Sequence, residues 1–246
     1  MPFLNSAPFL KDLALGARYE LVDCVPRELG ERAARGELTA GLLPLADYFR
    51  LQGAFERIGP FGIAVRGRVR SALLFSRKPI RQLDGAVIAV TEETSTTLVL
   101  LRLLLERRYR LAPASYERGR RADADALLLI GDEALRMRQA NAQYPFEIDL
   151  AFEWWLWQHL PFVFAVWAVR KEASPEEKTT IERGVSRALA LNSGRLPQLA
   201  QEASAPLGVP AEELASYLSR FIYRLSQPEE DAIRQFKMLV DAHRLL

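Results

Sequence analysis

The sequence predicts an α/β protein of two lobes, and three patterns carry that prediction. From Tyr19 to Arg50, short strand-like runs alternate with stretches of helical spacing. That order builds a mostly parallel sheet covered by helices. Two strand-like segments, Gly67 to Phe75 and Phe162 to Arg170, stand where they would cross from one lobe to the other. After Lys171 the chain reads as almost wholly helical and returns to the first lobe. The expected division is residues 1–68 plus 169–246, C-terminal helices included, and residues 69–168. A small ligand belongs in the cleft between such lobes.

The elements follow in order. In PFLNSAPFL the prolines around Asn5 and Ser6 favour an extended segment that turns into a helix at about Pro8, with Asn5 and Ser6 as caps or as ligand groups. Tyr19 to Cys24 reads as a strand, and Pro26 opens a helix that Gly36 stops. A short strand from Thr39 to Leu43 and a helix from Leu45 follow. Ile63 to Val65 and Arg70 to Phe75 are strand-like, with Gly67 as the turn between them.

The stretch from Arg81 to Arg107 organises the rest. Val87 to Val90 is a short, mostly β-branched run and Leu98 to Leu105 is leucine-rich at helical spacing, so Thr91 to Thr97 lies on a strand-to-helix turn. Ser95, Thr96 and Thr97 stand where the helix begins. There their hydroxyls, the unpaired amides of the first turn and the positive end of the helix dipole converge. Such a turn holds a carboxylate or phosphate, or it is a plain N-cap.

Ala126 to Ile130 is a very apolar strand that ends at Gly131-Asp132, with helix from Glu133 to Gln139. Asp132 therefore stands at the carboxyl end of a buried strand, either as a ligand group of an open α/β sheet or as an N-cap. Trp154, Trp155 and Trp157 precede the apolar strand Phe162 to Val169 and read as core rather than as a ring-binding surface. His159 has a pKa range suited to proton transfer, yet no partner for it stands nearby in the sequence. Helices are expected from Pro175, with Ser174 as N-cap, from Ala211 to Tyr223 and from Glu229 to Leu246.

Composition excludes several classes of function. With 33 basic and 31 acidic side chains the net charge is +2, and the arginines are spread along the chain, so nucleic acid is not expected as a partner. Cys24 is the only cysteine, which excludes an internal disulfide, a CxxC pair and a thiolate-rich zinc site. The N-terminus lacks the charged and apolar regions of a secretory signal, and no apolar run reaches the length of a membrane span. A cytoplasmic protein without membrane contact is expected, as monomer or homodimer. Gly-rich phosphate loops, GxSxG elbows and HExxH pairs are absent.

Six motifs resemble one family in order over nearly the whole chain. They are FLNSAP at Phe3, VPRELGERAARGEL at Val25, SALLFSRKPI at Ser71, ETSTTLVLLRLLL at Glu93, DALLLIGDEAL at Asp125 and LPFVFAVWAVR at Leu160. The chain is similar to the chorismate dehydratases of the futalosine route to menaquinone, more so than to their sister 1,4-dihydroxy-6-naphthoate synthases. The resemblance implies a two-lobed periplasmic-binding-protein-like type II fold that acts as a cytoplasmic lyase. It implies dehydration of chorismate to 3-[(1-carboxyvinyl)oxy]benzoate without metal or organic cofactor. By motif position it implies Asn5 and Ser71 as catalytic groups. Ser95, Thr96, Thr97, Asp132 and Ser6 are expected as substrate-binding, and His159 joins them on its own side-chain chemistry. Three departures stand out. Met1 lies almost on the first motif, where the family has a preceding strand, so a sheet one strand short or a start upstream is expected. Pro44 replaces a serine, and Gln158-His159 replaces Thr-Gly before LPF.

Overall fold

Alternation of sheet-forming and helix-forming stretches builds two separate hydrophobic cores. The computed structural model describes residues 3–246, apart from the side chain of Ala140; Met1 and Pro2, and with them the expectation about the chain start, lie outside the described residues. A short 3-10 turn at Leu4–Ser6 runs into α1 (Ala7–Leu10), followed by α2 (Pro26–Ala34), β1 (Ala40–Pro44), α3 (Leu45–Leu51), β2 (Phe55–Val65) and β3 (Ala72–Ser76). Next come β4 (Val87–Val90), α4 (Thr96–Arg102), β5 (Ser115–Arg118), β6 (Ala126–Ile130), α5 (Gly131–Ala140), β7 (Phe146–Asp149) and α6 (Leu150–Gln158). The chain ends with β8 (Phe162–Arg170), α7 (Pro175–Ser193), α8 (Leu196–Leu207), α9 (Ala211–Leu218), β9 (Phe221–Arg224) and α10 (Gln227–Ala242).

One unit comprises the residues up to Ala64 with Val163–Ser226. Its sheet has the order β1-β8-β2-β9, with β1 antiparallel to β8. Phe9, fully buried on α1, meets the rings of Phe61, Trp167 and Tyr223 edge-on at 6.3, 6.1 and 5.5 Å. Such edge-to-face pairs add to the area each ring buries. α1 is too short to satisfy its own last carbonyls. The buried Asn192 amide of α7 donates to Pro8 O at 3.3 Å and Lys11 O at 2.7 Å, and so ties the N-terminal turn to the body of the unit.

The other unit comprises Val65–Phe162 with Gln227–Leu246. Its five strands are ordered β5-β4-β6-β3-β7. β4 runs parallel to β5 and β6, whereas β3 is antiparallel to both β6 and β7. Trp154 of α6 is fully buried, donates its ring N–H to Pro161 O at 3.0 Å and packs edge-on against Phe162 and Phe236. The tryptophan-rich stretch is thus core at this position.

Several expectations are corrected. The stretch from Tyr19 to Arg50 does not build a mostly parallel sheet: its strand β1 runs antiparallel to its neighbour β8, a partner more than a hundred residues later. Tyr19 to Cys24 forms no strand, and its Leu21 and Val22 side chains are exposed instead of buried against a sheet. The expected helix from Ala211 to Tyr223 breaks after Leu218, and Phe221-Ile222-Tyr223, residues that favour strands, join the sheet as β9. α10 belongs with the second unit and not the first, since Phe236 fills the space beside Trp154 and Phe162 at 5.7 and 5.1 Å.

His159 ends α6 in the left-handed region at φ +56°, its amide donating to Trp155 O at 2.9 Å. Glycine takes this helix-ending position without steric cost, and glycine is what the family pattern has there. His159→Gly is therefore expected to raise stability by about 0.5–1 kcal/mol, read as a higher urea midpoint with an unchanged slope.

Candidate functional site

Four strand ends of the second unit meet at one edge of its sheet. Val90 of β4 lies beside Leu128 of β6 in parallel register, and Ala72 at the start of β3 lies opposite Ile130 at the end of β6. Asp149 at the end of β7 pairs with Leu73. Backbone bonds tie Ser71 and the first turn to β6 and its end: Gly131 N donates to Ser71 O at 2.8 Å and Thr91 N to Leu128 O at 3.0 Å. Ser71, Ser95, Thr96, Thr97 and Asp132 thus come from distant parts of the chain to one arc.

The turn from Thr91 to Ser95 is held from behind. The Arg118 guanidinium donates to the carbonyls of Thr91, Glu92 and Thr94 at 3.5, 3.1 and 3.4 Å. Ser95 takes the N-cap position, with φ −124° and ψ −80°, but its hydroxyl makes no cap bond. Thr96 and Thr97 are buried on the first turn, and α4 continues as a π-helical stretch over Leu103–Arg108. Thr94 is fully buried, and its hydroxyl has no hydrogen-bond partner among the described residues. A hydroxyl left unmade in the interior costs on the order of 1–3 kcal/mol.

Two carboxylates border this turn. Asp132 is the second residue of α5, whose N-cap position is occupied by Ile130, so Asp132 does not cap the helix. Glu93 is half-buried, and burial first, then the charges of Glu133 and Asp132, push its carboxyl above the usual range. Glu133 itself pairs with Arg120. Neither Glu93 nor Thr94 was assigned a role from the sequence, although both stand inside the ETSTT motif; their burial is a tertiary property that local spacing does not carry. Arg118 is equally silent in the sequence, since it reaches the turn only through the pairing of β5 with β4.

The remaining candidates lie elsewhere. Asn5 and Ser6 belong to the first unit, on the 3-10 turn before α1. Ser6 is fully buried and donates to Phe3 O at 2.7 Å, which makes it a local brace. The side-chain oxygen of Asn5 is buried with no hydrogen-bond partner among the described residues. His159 is exposed at the far end of α6, about 13 Å along the axis from its first turn, with its ring edge-on to Trp155 at 6.4 Å. Pro44 ends β1 and leaves α3 without a side-chain cap. Among the described residues no group of three or more His, Cys, Asp or Glu could hold a metal ion, and no helix is long and apolar enough to cross a membrane.

Residues 1–241 match the menaquinone biosynthesis family of proteins. The chain belongs to that family. Within curated sequences it is 31% identical to a chorismate dehydratase of Thermus thermophilus over 253 aligned positions, which cover 95% of this chain and 91% of that one. Among solved structures it superposes on a protein from Archaeoglobus fulgidus with a TM-score of 0.80 at 17% identity, covering 100% of this chain and 96% of that one. The periplasmic aliphatic sulphonate binding protein of Escherichia coli superposes with a TM-score of 0.58 at 18% identity, covering 89% and 79% of the two chains. This family member therefore has the periplasmic-binding-protein-like fold.

The raised Glu93 carboxyl makes a prediction with a definite sign. A carboxyl whose folded pKa lies above its unfolded value favours the fold below the unfolded pKa and loses that contribution as pH rises through the folded pKa. Glu93→Gln, which cannot ionise, is therefore expected to be more stable than the parent at pH 7 and to lose this advantage toward pH 4. Thermal melts at both pH values measure the difference; an advantage that grows toward pH 4 would contradict the assignment.

Proposed function

We propose that this chain is a chorismate dehydratase: a carbon–oxygen lyase that converts chorismate to 3-[(1-carboxyvinyl)oxy]benzoate and water, in the cytoplasm. The observation that carries the reading is the arc of hydroxyls and helix-start amides at one sheet edge, in a chain that belongs to the menaquinone biosynthesis family. Its 31% identity to a chorismate dehydratase supports the same substrate.

The chemistry asks little of the protein beyond placement. The C3 proton of chorismate is acidic through conjugation with the ring carboxylate. When it leaves, its bonding electrons form the new ring double bond as the C4 hydroxide departs, and an aromatic ring results. The amides and hydroxyls of Thr96 and Thr97 suit the ring carboxylate. There they would stabilise charge that spreads into it during the reaction, because fixed dipoles in a water-poor site act without reorganising. Ser71, joined to the second turn through Gly131, is assigned the hydroxyl that leaves. The enolpyruvyl carboxylate of the substrate is assigned the C3 proton, which it passes to the departing hydroxide, so atoms and charge balance without a protein base.

Purified protein incubated with chorismate alone is expected to yield a product lighter by one water, with the absorbance of a substituted benzoate. Ser71→Ala and Thr96→Ala are each expected to lower kcat/KM by about a hundredfold, the scale of a lost donor at developing charge. Ser95→Ala should leave stability within about 0.5 kcal/mol, since its hydroxyl caps nothing. Absence of the product, or unchanged kinetics in the first two variants, would refute the assignment.

A further inference from the structure

The segment that leads into Ser71 is fastened along α6 in a regular way. The Arg66 guanidinium lies 5.0 Å over the Trp155 ring and that of Arg68 lies 4.2 Å over Phe152, while the Arg70 amide donates to Asp149 Oδ2 at 2.8 Å. Arg66, Arg68 and Arg70 thus meet Trp155, Phe152 and Asp149 in antiparallel order, along a segment that bends at Gly67 with φ +83°.

Asp149 anchors this register at the end nearest Ser71. It is buried, and besides Arg70 it accepts the amide of Phe152 at 3.1 Å through Oδ1 and a hydrogen bond from the Val69 amide. The peptide it grips is a strained one: Arg70 sits at φ +67°, a left-handed conformation that disfavours any side chain with a Cβ. Ser71 follows immediately, accepts from Gly131 N and is succeeded by the first residue of β3. A relaxed Arg70 would swing the chain and re-aim Ser71 before the strand begins.

We propose that Asp149 is a positioning residue for the reaction: by holding Val69 and Arg70 in the left-handed entry to β3, it sets where the Ser71 hydroxyl stands relative to the two strand-to-helix turns. The inference rests on the role given to Ser71 above. A helix cap alone does not require this residue, because serine or threonine caps as well without a charge. Burial also pushes the Asp149 carboxyl upward in spite of its amide bonds.

The test compares Asp149→Ser, Asp149→Asn, Arg70→Gly, Ser71→Ala and the double variant Asp149→Ser/Arg70→Gly with the parent. The readouts are chorismate turnover and amide exchange. Serine should keep the cap, leaving Phe152 protected, while the Arg70 and Ser71 amides exchange faster. In both Asp149 variants kcat should fall by about tenfold to a hundredfold, the scale of a displaced reacting group, with KM within about threefold of the parent. Arg70→Gly alone should turn over like the parent, and the double variant should regain most of the loss, because glycine adopts the left-handed conformation without being held there. Parent-like kcat in a folded Asp149→Asn or Asp149→Ser protein would overturn the proposal, as would loss of protection at Phe152 with no change at Arg70. Parent-like turnover of Ser71→Ala, or no turnover in the parent, would instead overturn the underlying site assignment and the positioning with it.

Discussion

The direction of one strand decides what the second unit can do. β3 is antiparallel to β6, so its first residues meet the last residues of β6, on whose other side β4 ends. Had β3 run parallel, Ser71 would lie at the opposite edge, a five-residue strand or about 17 Å away. Instead a residue that precedes one strand stands beside two turns that follow others. The arc of Ser71, Gly131-Asp132 and Thr94 to Thr97 depends on that reversal. The strap from Arg66 to Arg70 and its anchor on Asp149 are what deliver the chain to the sheet in this sense.

Electrostatics then divides the arc by function. Arg118 collects three carbonyl oxygens behind the first turn. Glu93 and Asp132 stand at its border, and the Asp132 charge adds to burial in raising the Glu93 carboxyl. In the proposed site the substrate carboxylate is attracted by the helix dipole and bounded by these carboxylates. The same economy appears in the first unit, where Asn192 satisfies the open carbonyls of α1 and so holds the turn that carries Asn5 and Ser6.

What the sequence made legible follows from how local each signal is. The strand-turn-helix at Val87 to Leu105 was legible because period, β-branching and hydroxyls change within one short stretch, and β4 and α4 stand there. The antiparallel sense of β3 was not, because strand direction is set by partners distant in the chain. For the same reason β9 hid inside an apparent helix: Phe221 to Arg224 is too short to announce a strand until Leu225 N finds Pro60 O at 2.7 Å. Ser71, Ser95, Thr96, Thr97 and Asp132 entered as separate motif positions, and the sheet unites them. Asp149 was missed although its position before a helix is a common cap, since the strap it also grips is nearly eighty residues earlier, at a sequence separation of 79. His159 attracted attention as a titratable group, and its structural place is a helix end in a conformation suited to glycine.

The central claim is that a substrate carboxylate sits on the start of α4 with Ser71 beside the reacting carbon. The most direct test is a crystal structure of the full chain with 3-[(1-carboxyvinyl)oxy]benzoate bound. The account predicts the ring carboxylate within hydrogen-bond reach, about 2.7–3.2 Å, of the Thr96 and Thr97 donors, and the Ser71 hydroxyl facing the ring carbon that has lost its oxygen. A ring carboxylate held by other residues, with Thr96, Thr97 and Ser71 out of contact, would contradict it.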